Sequence, residues 1–271
     1  MRKFWIGAAC RLAPALLTHV AYRQFTRPPV QKIPSGEREV LDTAEQATVP
    51  FRGFHIQTYH WPGPGKRLVL VHGWEGRAGN FISLLPFLQG AGFDVYAFDA
   101  PSHGLSSRGA TSMFEFSDLV AERLQDWQPE YAISHSFGSV ATISALSNTP
   151  ALSLKKYALL TTPDRFLERI DWVAAQVGIT EAVKRRLINR IHREMGIDPA
   201  AMNVSDAAAH TRVGQALILH DVRDRVIPIQ QARNVHAHWP VSHLQELEDT
   251  GHFKILRDPG VQEHLRAFFL S

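Results

Sequence analysis

Tyr131-Ala132-Ile133-Ser134-His135-Ser136-Phe137-Gly138-Ser139-Val140-Ala141-Thr142-Ile143-Ser144-Ala145 is the stretch that decides the fold. Tyr131 to Ile133 is an apolar run of strand length, and Ser139 to Ala145 is a small-residue helical segment. Ser134-His135-Ser136-Phe137-Gly138 joins them. A serine at the apex of a tight strand-to-helix turn stands exposed at the carboxyl edge of a sheet, with the amide of the next residue at a helix N-terminus. Small residues must flank such a turn, because the helix approaches the strand closely. Gly138 meets that need, while Ser134 occupies the first glycine position of G-x-S-x-G. Ser136 is thus the candidate nucleophile, and Ser134 and Ser139 are assigned packing roles. The five-residue pattern alone fits a helix-capping serine equally well, so its setting has to decide.

That setting is a series of short apolar runs alternating with helix-length amphipathic segments, the pattern of a parallel sheet covered on both faces. Residues 49–61, broken by Gly53, predict a hairpin or two neighbouring strands. Leu68 to Val71, Val95 to Phe98, Tyr157 to Leu160, Ala216 to His220 and Leu244 to Leu247 predict further strands; Phe81 to Leu88, Met113 to Trp127 and Gln230 to Ala237 predict helices. Between Asp164 and about Thr211 the alternation stops, which predicts a helical insertion over one edge of the sheet. Pro62-Gly63-Pro64-Gly65-Lys66 lacks the spacing of a phosphate loop and predicts a turn.

A serine is inert at neutral pH without a base, and the base needs a partner that fixes its tautomer. Two aspartates follow the strand at Leu217 to Leu219. Asp224 lies farther out on the loop, where a carboxylate reaches a neighbouring loop, whereas Asp221 is placed to tie its own loop's amides. Asp249-Thr250-Gly251-His252-Phe253 follows the last strand, and this position distinguishes His252 from the other histidines among 14. His236 and His238, two apart on a helix, point to different sides and make a poor metal site. Val71-His72-Gly73-Trp74 ends a strand, so the amides of Trp74 and Phe137 are the candidate oxyanion donors. His72 shapes that turn, and Asp99 to Gly104 braces the site.

His72-Gly73-Trp74, Asp99 to Gly104, the Ser136 turn, the Asp224 loop and Gly251-His252, in this order, resemble the α/β-hydrolase superfamily from about Val49 onward. The resemblance implies a mostly parallel eight-stranded sheet flanked by helices, a helical lid between the sixth and seventh strands, and no cofactor or metal. It implies a serine hydrolase in which Ser136, Asp224 and His252 cleave a small-molecule ester through an acyl-enzyme. A thioesterase or carbon-carbon bond hydrolase uses the same three residues, and a catalytically silent binding protein is the non-enzymatic alternative. Epoxide hydrolases and haloalkane dehalogenases resemble this fold but carry an aspartate where Ser136 stands. The apolar residues Phe166, Leu167, Ile170, Trp172, Val173 and Val177 in the insertion fit either an acyl pocket or plain helix packing.

With 29 Lys+Arg against 26 Asp+Glu, the formal charge of +3 gives no ground for a nucleic-acid partner. Lys184, Arg185, Arg186, Arg190 and Arg193 alternate with Leu187, Ile188 and Ile191 as on the solvated face of an amphipathic helix. A single cysteine, Cys10, excludes an internal disulfide framework and is compatible with a cytoplasmic location. Residues 1–30 are expected to form an N-terminal amphipathic helix and linker ahead of a hydrolase domain at 31–271. Arg11 breaks its apolar run well short of the ~20 residues a membrane span requires. Trp5, Ala9, Leu12, Leu16 and Val20 form a stripe that is expected to lie on the protein body, with peripheral membrane contact as the alternative.

Overall fold

Arg52 and Gly53 take the left-handed conformations a tight hairpin turn requires, φ 45° and 83°, and fold β1 (Glu45–Phe51) back on β2 (Phe54–Trp61). From there a computed structural model, which describes residues 6, 9–29, 32–195 and 198–271, continues the sheet. Its remaining strands are β3 (Arg67–Val71), β4 (Asp94–Phe98), β5 (Tyr131–His135), β6 (Leu154–Leu160), β7 (Val213–Asp221) and β8 (Ser242–Leu247). The eight strands run in the order β1-β2-β4-β3-β5-β6-β7-β8. β2 is antiparallel to β1 and to β4, and every other neighbouring pair is parallel. Residues 28–164 and 204–271 form this unit.

The central strands read as continuous apolar runs because both faces are covered. Val69 and Val71 of β3 enter one apolar cluster while Leu68 and Leu70 enter the other. The helices Met113–Trp127 and Phe137–Asn148 pack on the first side, the former opened by a reciprocal cap between Ser112 and Glu115. Two further helices lie outside the periodic segments singled out above. Ser35–Leu41 precedes β1 within the span expected for the hydrolase domain, and Pro259–Leu270 follows β8, capped by Asp258 and burying Val261, Leu265 and Phe269 at four-residue spacing.

The insertion is shorter than its sequence pattern predicts. Helices Phe166–Val177 and Glu181–Met195 belong to a second unit made of residues 165–203 and 1–27, whereas Val204–Ala208 returns to the sheet unit and buries Val204, Ser205 and Ala208. Within the second unit, helix Pro14–Thr26 packs on Glu181–Met195, with the Arg190 guanidinium 3.9 Å from the centre of the Tyr22 ring. Phe25 meets Phe166 edge to face at 5.9 Å.

The expected orientation of the N-terminal stripe is corrected here. Leu12, Leu16 and Val20 are 87%, 60% and 41% exposed, while Thr18 and Thr26 on the other side are buried. The threonine hydroxyls are satisfied by the carbonyls of Pro14 and Tyr22, which lets a polar face pack inward. Trp5 lies outside the described residues. Among the described residues no helix is long and apolar enough to cross a membrane.

Candidate active site

Ser136 stands between β5 and helix Phe137–Asn148 at φ 54°, ψ −123°, a conformation that L-residues adopt only under strain. Its N–H donates to both the Leu160 and Thr161 carbonyls at 3.0 Å, anchoring the turn to the end of β6. Close packing fixes the other side. A Cβ at Gly138 would fall 2.3 Å from the Val71 carbonyl oxygen, so only glycine lets the helix meet β3. A Cβ at Gly73 would lie 3.1 Å from Ser136 Cβ, which places the loop after β3 against the serine.

Ser134 does more than pack. Its hydroxyl is 2.7 Å from the Tyr157 hydroxyl and 2.9 Å from that of Ser139, all three fully buried. The serine at the first glycine position therefore belongs to a satisfied polar cluster beneath the turn.

Asp224 and His252 meet across two strand-end loops. His252 Nδ1 donates to Asp224 Oδ2 at 2.8 Å, and Oδ1 of the same carboxylate accepts from the Val226 and Ile227 amides at 2.7 and 3.0 Å. Burial raises the Asp224 pKa, but the imidazole and the two amides outweigh it and hold the carboxyl below its ordinary value. An ionised Asp224 assigns the proton to Nδ1 and leaves Nε2 of His252 as an acceptor. His220, donating from Nε2 to the Ile227 carbonyl at 2.9 Å, lies 3.8 Å from Asp224 Oδ2 and closes the buried side of the carboxylate.

His252 is joined to the serine turn through a residue that sequence reasoning missed. His135, next to Ser136, donates from Nε2 to the His252 carbonyl at 2.8 Å, and the two rings are 5.0 Å apart. Burial lowers the His135 pKa to about 3, so the ring is neutral at physiological pH. No hydrogen bond joins the Ser136 hydroxyl to the His252 ring among the described residues; the serine is brought to the same rim through its backbone neighbours.

Asp221 ties its own loop, as expected, through the Arg223 amide at 2.6 Å, and it also holds the next one. Its second oxygen accepts from the amides of Thr250 and Gly251 at 2.6 and 2.8 Å and from the Thr250 hydroxyl at 3.0 Å. Burial opposes ionisation there, but these donors prevail and lower the pKa. The segment leading into His252 is thereby fixed from β7.

The candidate oxyanion loop is braced in a similar way. His72 donates from Nδ1 to the Gly73 carbonyl at 2.7 Å and accepts the Ala100 N–H on Nε2 at 2.9 Å, which defines a neutral tautomer; burial lowers its pKa to about 4. Asp99 accepts from the amides of Ala78 and Leu105 at 2.8 and 2.7 Å. Phe137, at the first position of its helix, has an amide without a partner inside that helix. The Trp74 ring stands half-buried beside it, edge to face with Phe137 at 5.8 Å.

A family pattern described as the alpha/beta hydrolase family matches residues 68–262, from β3 past His252. The chain belongs to this family. The α/β-hydrolase is 24% identical to the uncharacterized hydrolase YugF of Bacillus subtilis, over 80% of its own length and 94% of that protein. It is 27% identical to a pimeloyl-[acyl-carrier protein] methyl ester esterase of Xanthomonas oryzae pv. oryzae, an alignment spanning 50% of the chain and 49% of that enzyme. The esterase Pf2001 of Pyrococcus furiosus superimposes with a TM-score of 0.66 at 15% identity, covering 90% of this α/β-hydrolase and 98% of that chain. The eight-stranded, mostly parallel sheet is the fold expected from the sequence.

Proposed function

We propose that this hydrolase cleaves carboxylic esters through an acyl-enzyme on Ser136. The observation that carries the reading is the 2.8 Å pair of His252 Nδ1 and Asp224, held to the strained Ser136 turn by the bond from His135 to the His252 carbonyl. Ser136 Oγ attacks the ester carbonyl as His252 Nε2 takes its proton, and the amides of Trp74 and Phe137 receive the oxyanion. The intermediate collapses, His252 returns the proton to the departing alkoxide, and water then attacks the acyl-enzyme with His252 again as base. Asp224 stays ionised throughout and stabilises the imidazolium.

An ester is favoured because two of the relatives named above are esterases by description. An apolar acyl group is favoured by the surroundings: Trp74 and Phe137 flank the serine, and Phe253, 64% exposed, stands perpendicular to the His252 ring at 4.8 Å. The helical insertion, placed between the sixth and seventh strands, is read as the lid of the fold.

The test is labelling by a fluorophosphonate together with hydrolysis of p-nitrophenyl esters of graded chain length. Ser136→Ala is expected to abolish labelling and to lower turnover by up to ~10⁶-fold, and Asp224→Asn by about 10⁴-fold. Wild-type rates in the Ser136 variant overturn the assignment.

A further inference from the structure

The second unit carries an inverted amphipathic helix. In helix Pro14–Thr26 the side that meets Glu181–Met195 presents Thr18, Tyr22 and Thr26, while Leu16 and Val20, one turn apart, face solvent. Leu12, just ahead of the helix, is 87% exposed. A helix selected only for packing turns its leucines inward, because an exposed leucine forgoes the free energy of its burial. Exposed Arg23 falls seven residues after Leu16, on the same stripe.

Charge separates along the same boundary. Residues 1–27 hold five basic side chains and no acidic one, and 165–203 hold seven basic and five acidic. The unit thus stands at +7 in a chain of +3, which leaves −4 on the sheet unit. Arg186, Arg190, His192 and Arg193 line a groove of about 560 Å³ with Ala15 and Thr18. Arg186 is exposed, as is its neighbour Arg185.

We propose that this unit docks on the surface of an anionic phospholipid bilayer, with Leu12, Leu16 and Val20 entering the headgroup and acyl boundary and the arginines meeting lipid phosphates. Exposed apolar side chains on a helix without acidic residues, beside a cluster of arginines, are the signature of interfacial binding, in which apolar insertion and electrostatic attraction add. An acidic protein partner answers the arginines but leaves three solvent-facing aliphatic side chains unexplained. The bilayer answers both.

Co-sedimentation of the full chain with vesicles tests this independently of ester chemistry, since a Ser136→Ala background gives the same reading. Vesicles of phosphatidylcholine alone are compared with vesicles containing 30% phosphatidylglycerol, and soluble poly-glutamate serves as a purely acidic competitor. Binding is expected to the phosphatidylglycerol vesicles and to weaken in high salt. Leu12→Glu/Leu16→Glu is expected to weaken it by roughly tenfold or more, and Arg186→Gln/Arg193→Gln by roughly fivefold per charge. Both variants are checked for an unchanged unfolding midpoint. Equal binding to the two vesicle types, no binding to either, or attachment to poly-glutamate with the leucine variant binding vesicles like the parent overturns the proposal.

Discussion

Ser134, Ser139 and Tyr157 form a polar knot under the Ser136 turn, and its energetics set it apart from the packing it replaces. All three hydroxyls are fully buried, at 2.7 and 2.9 Å from Ser134. A buried hydroxyl that loses its partner costs about 1–3 kcal/mol, while removing both partners together costs less. Ser134→Ala is therefore expected to lower the unfolding free energy by about that amount, with Tyr157→Phe in the same background recovering part of it. Urea titration reads the cycle, and strict additivity of the two changes contradicts it. Fluorophosphonate labelling is expected to persist, because the Ser136 N–H is held by the Leu160 and Thr161 carbonyls and Gly138 packs on Val71, contacts that neither change touches. At this scale the strand-end positions of Ser136, Asp224 and His252 were legible in the sequence, and the structure pairs the last two at 2.8 Å. The sequence did not reveal His135, since nothing local marks a histidine whose partner is a carbonyl 117 residues away. Asp221 was legible only for the loop it begins.

Left-handed backbone gathers at one edge of the sheet. Glu75, Ser102, Ser136, Thr161 and Asp249 all have positive φ, and each lies just beyond β3, β4, β5, β6 or β8. Strain of this kind, of order 1–3 kcal/mol per residue, persists where surrounding structure over-determines it, which is typical of functional rims. Two glycines separate what the elements need from what the site needs. Gly138→Ala drives a Cβ to 2.3 Å from a backbone oxygen of β3, so the variant is expected to misfold or to lose several kcal/mol. Gly73→Ala brings its Cβ to 3.0 Å from the His135 carbonyl oxygen and 3.1 Å from Ser136 Cβ, a milder crowding, so the fold is expected to survive while kcat falls by roughly 10² as the donors shift. Circular dichroism paired with ester kinetics distinguishes them; a folded, fully active Gly138 variant contradicts the close packing. The central strands were legible as short continuous apolar runs, and the helix Met113–Trp127 by its amphipathic period. Ser35–Leu41 was hidden by its brevity, and Val204–Ala208 by its continuity with the helical insertion from which it departs.

At the scale of the whole molecule, the sequence placed the N-terminal stripe correctly as a stripe but assigned it the wrong side. Amphipathic periodicity records that a face is apolar, not what covers it, and threonines that bond their own helix carbonyls packed inward instead. Histidine burial has a consequence for the entire chain. Burial lowers His72 to about 4 and His103 and His135 to about 3, and it lowers His220 as well. A histidine that stays neutral in the folded state while the unfolded chain takes up a proton favours folding at high pH. The stability it supports is full above the unfolded value near 6.5 and drains as pH falls toward the folded value. Asp99, raised by burial, pulls the other way, but it is one group against four. His72, His103 and His135 each remove about 1.4 kcal/mol per pH unit inside that window, so by pH 5 their combined loss is on the order of 6 kcal/mol, comparable to the ~5–15 kcal/mol that holds a typical domain together. A marked loss of stability is therefore expected by pH 5, at the upper edge of the range in which ordinary carboxylates protonate. His103→Gln keeps a donor for the Pro101 carbonyl, now 2.9 Å from Nδ1, and removes one titrating ring, so the slope of stability against pH is expected to flatten. Tryptophan fluorescence in urea, followed from pH 7 to pH 5, reads both slopes. A midpoint that does not move across that interval means that these rings are protonated in the folded protein or reach water, against the burial described above.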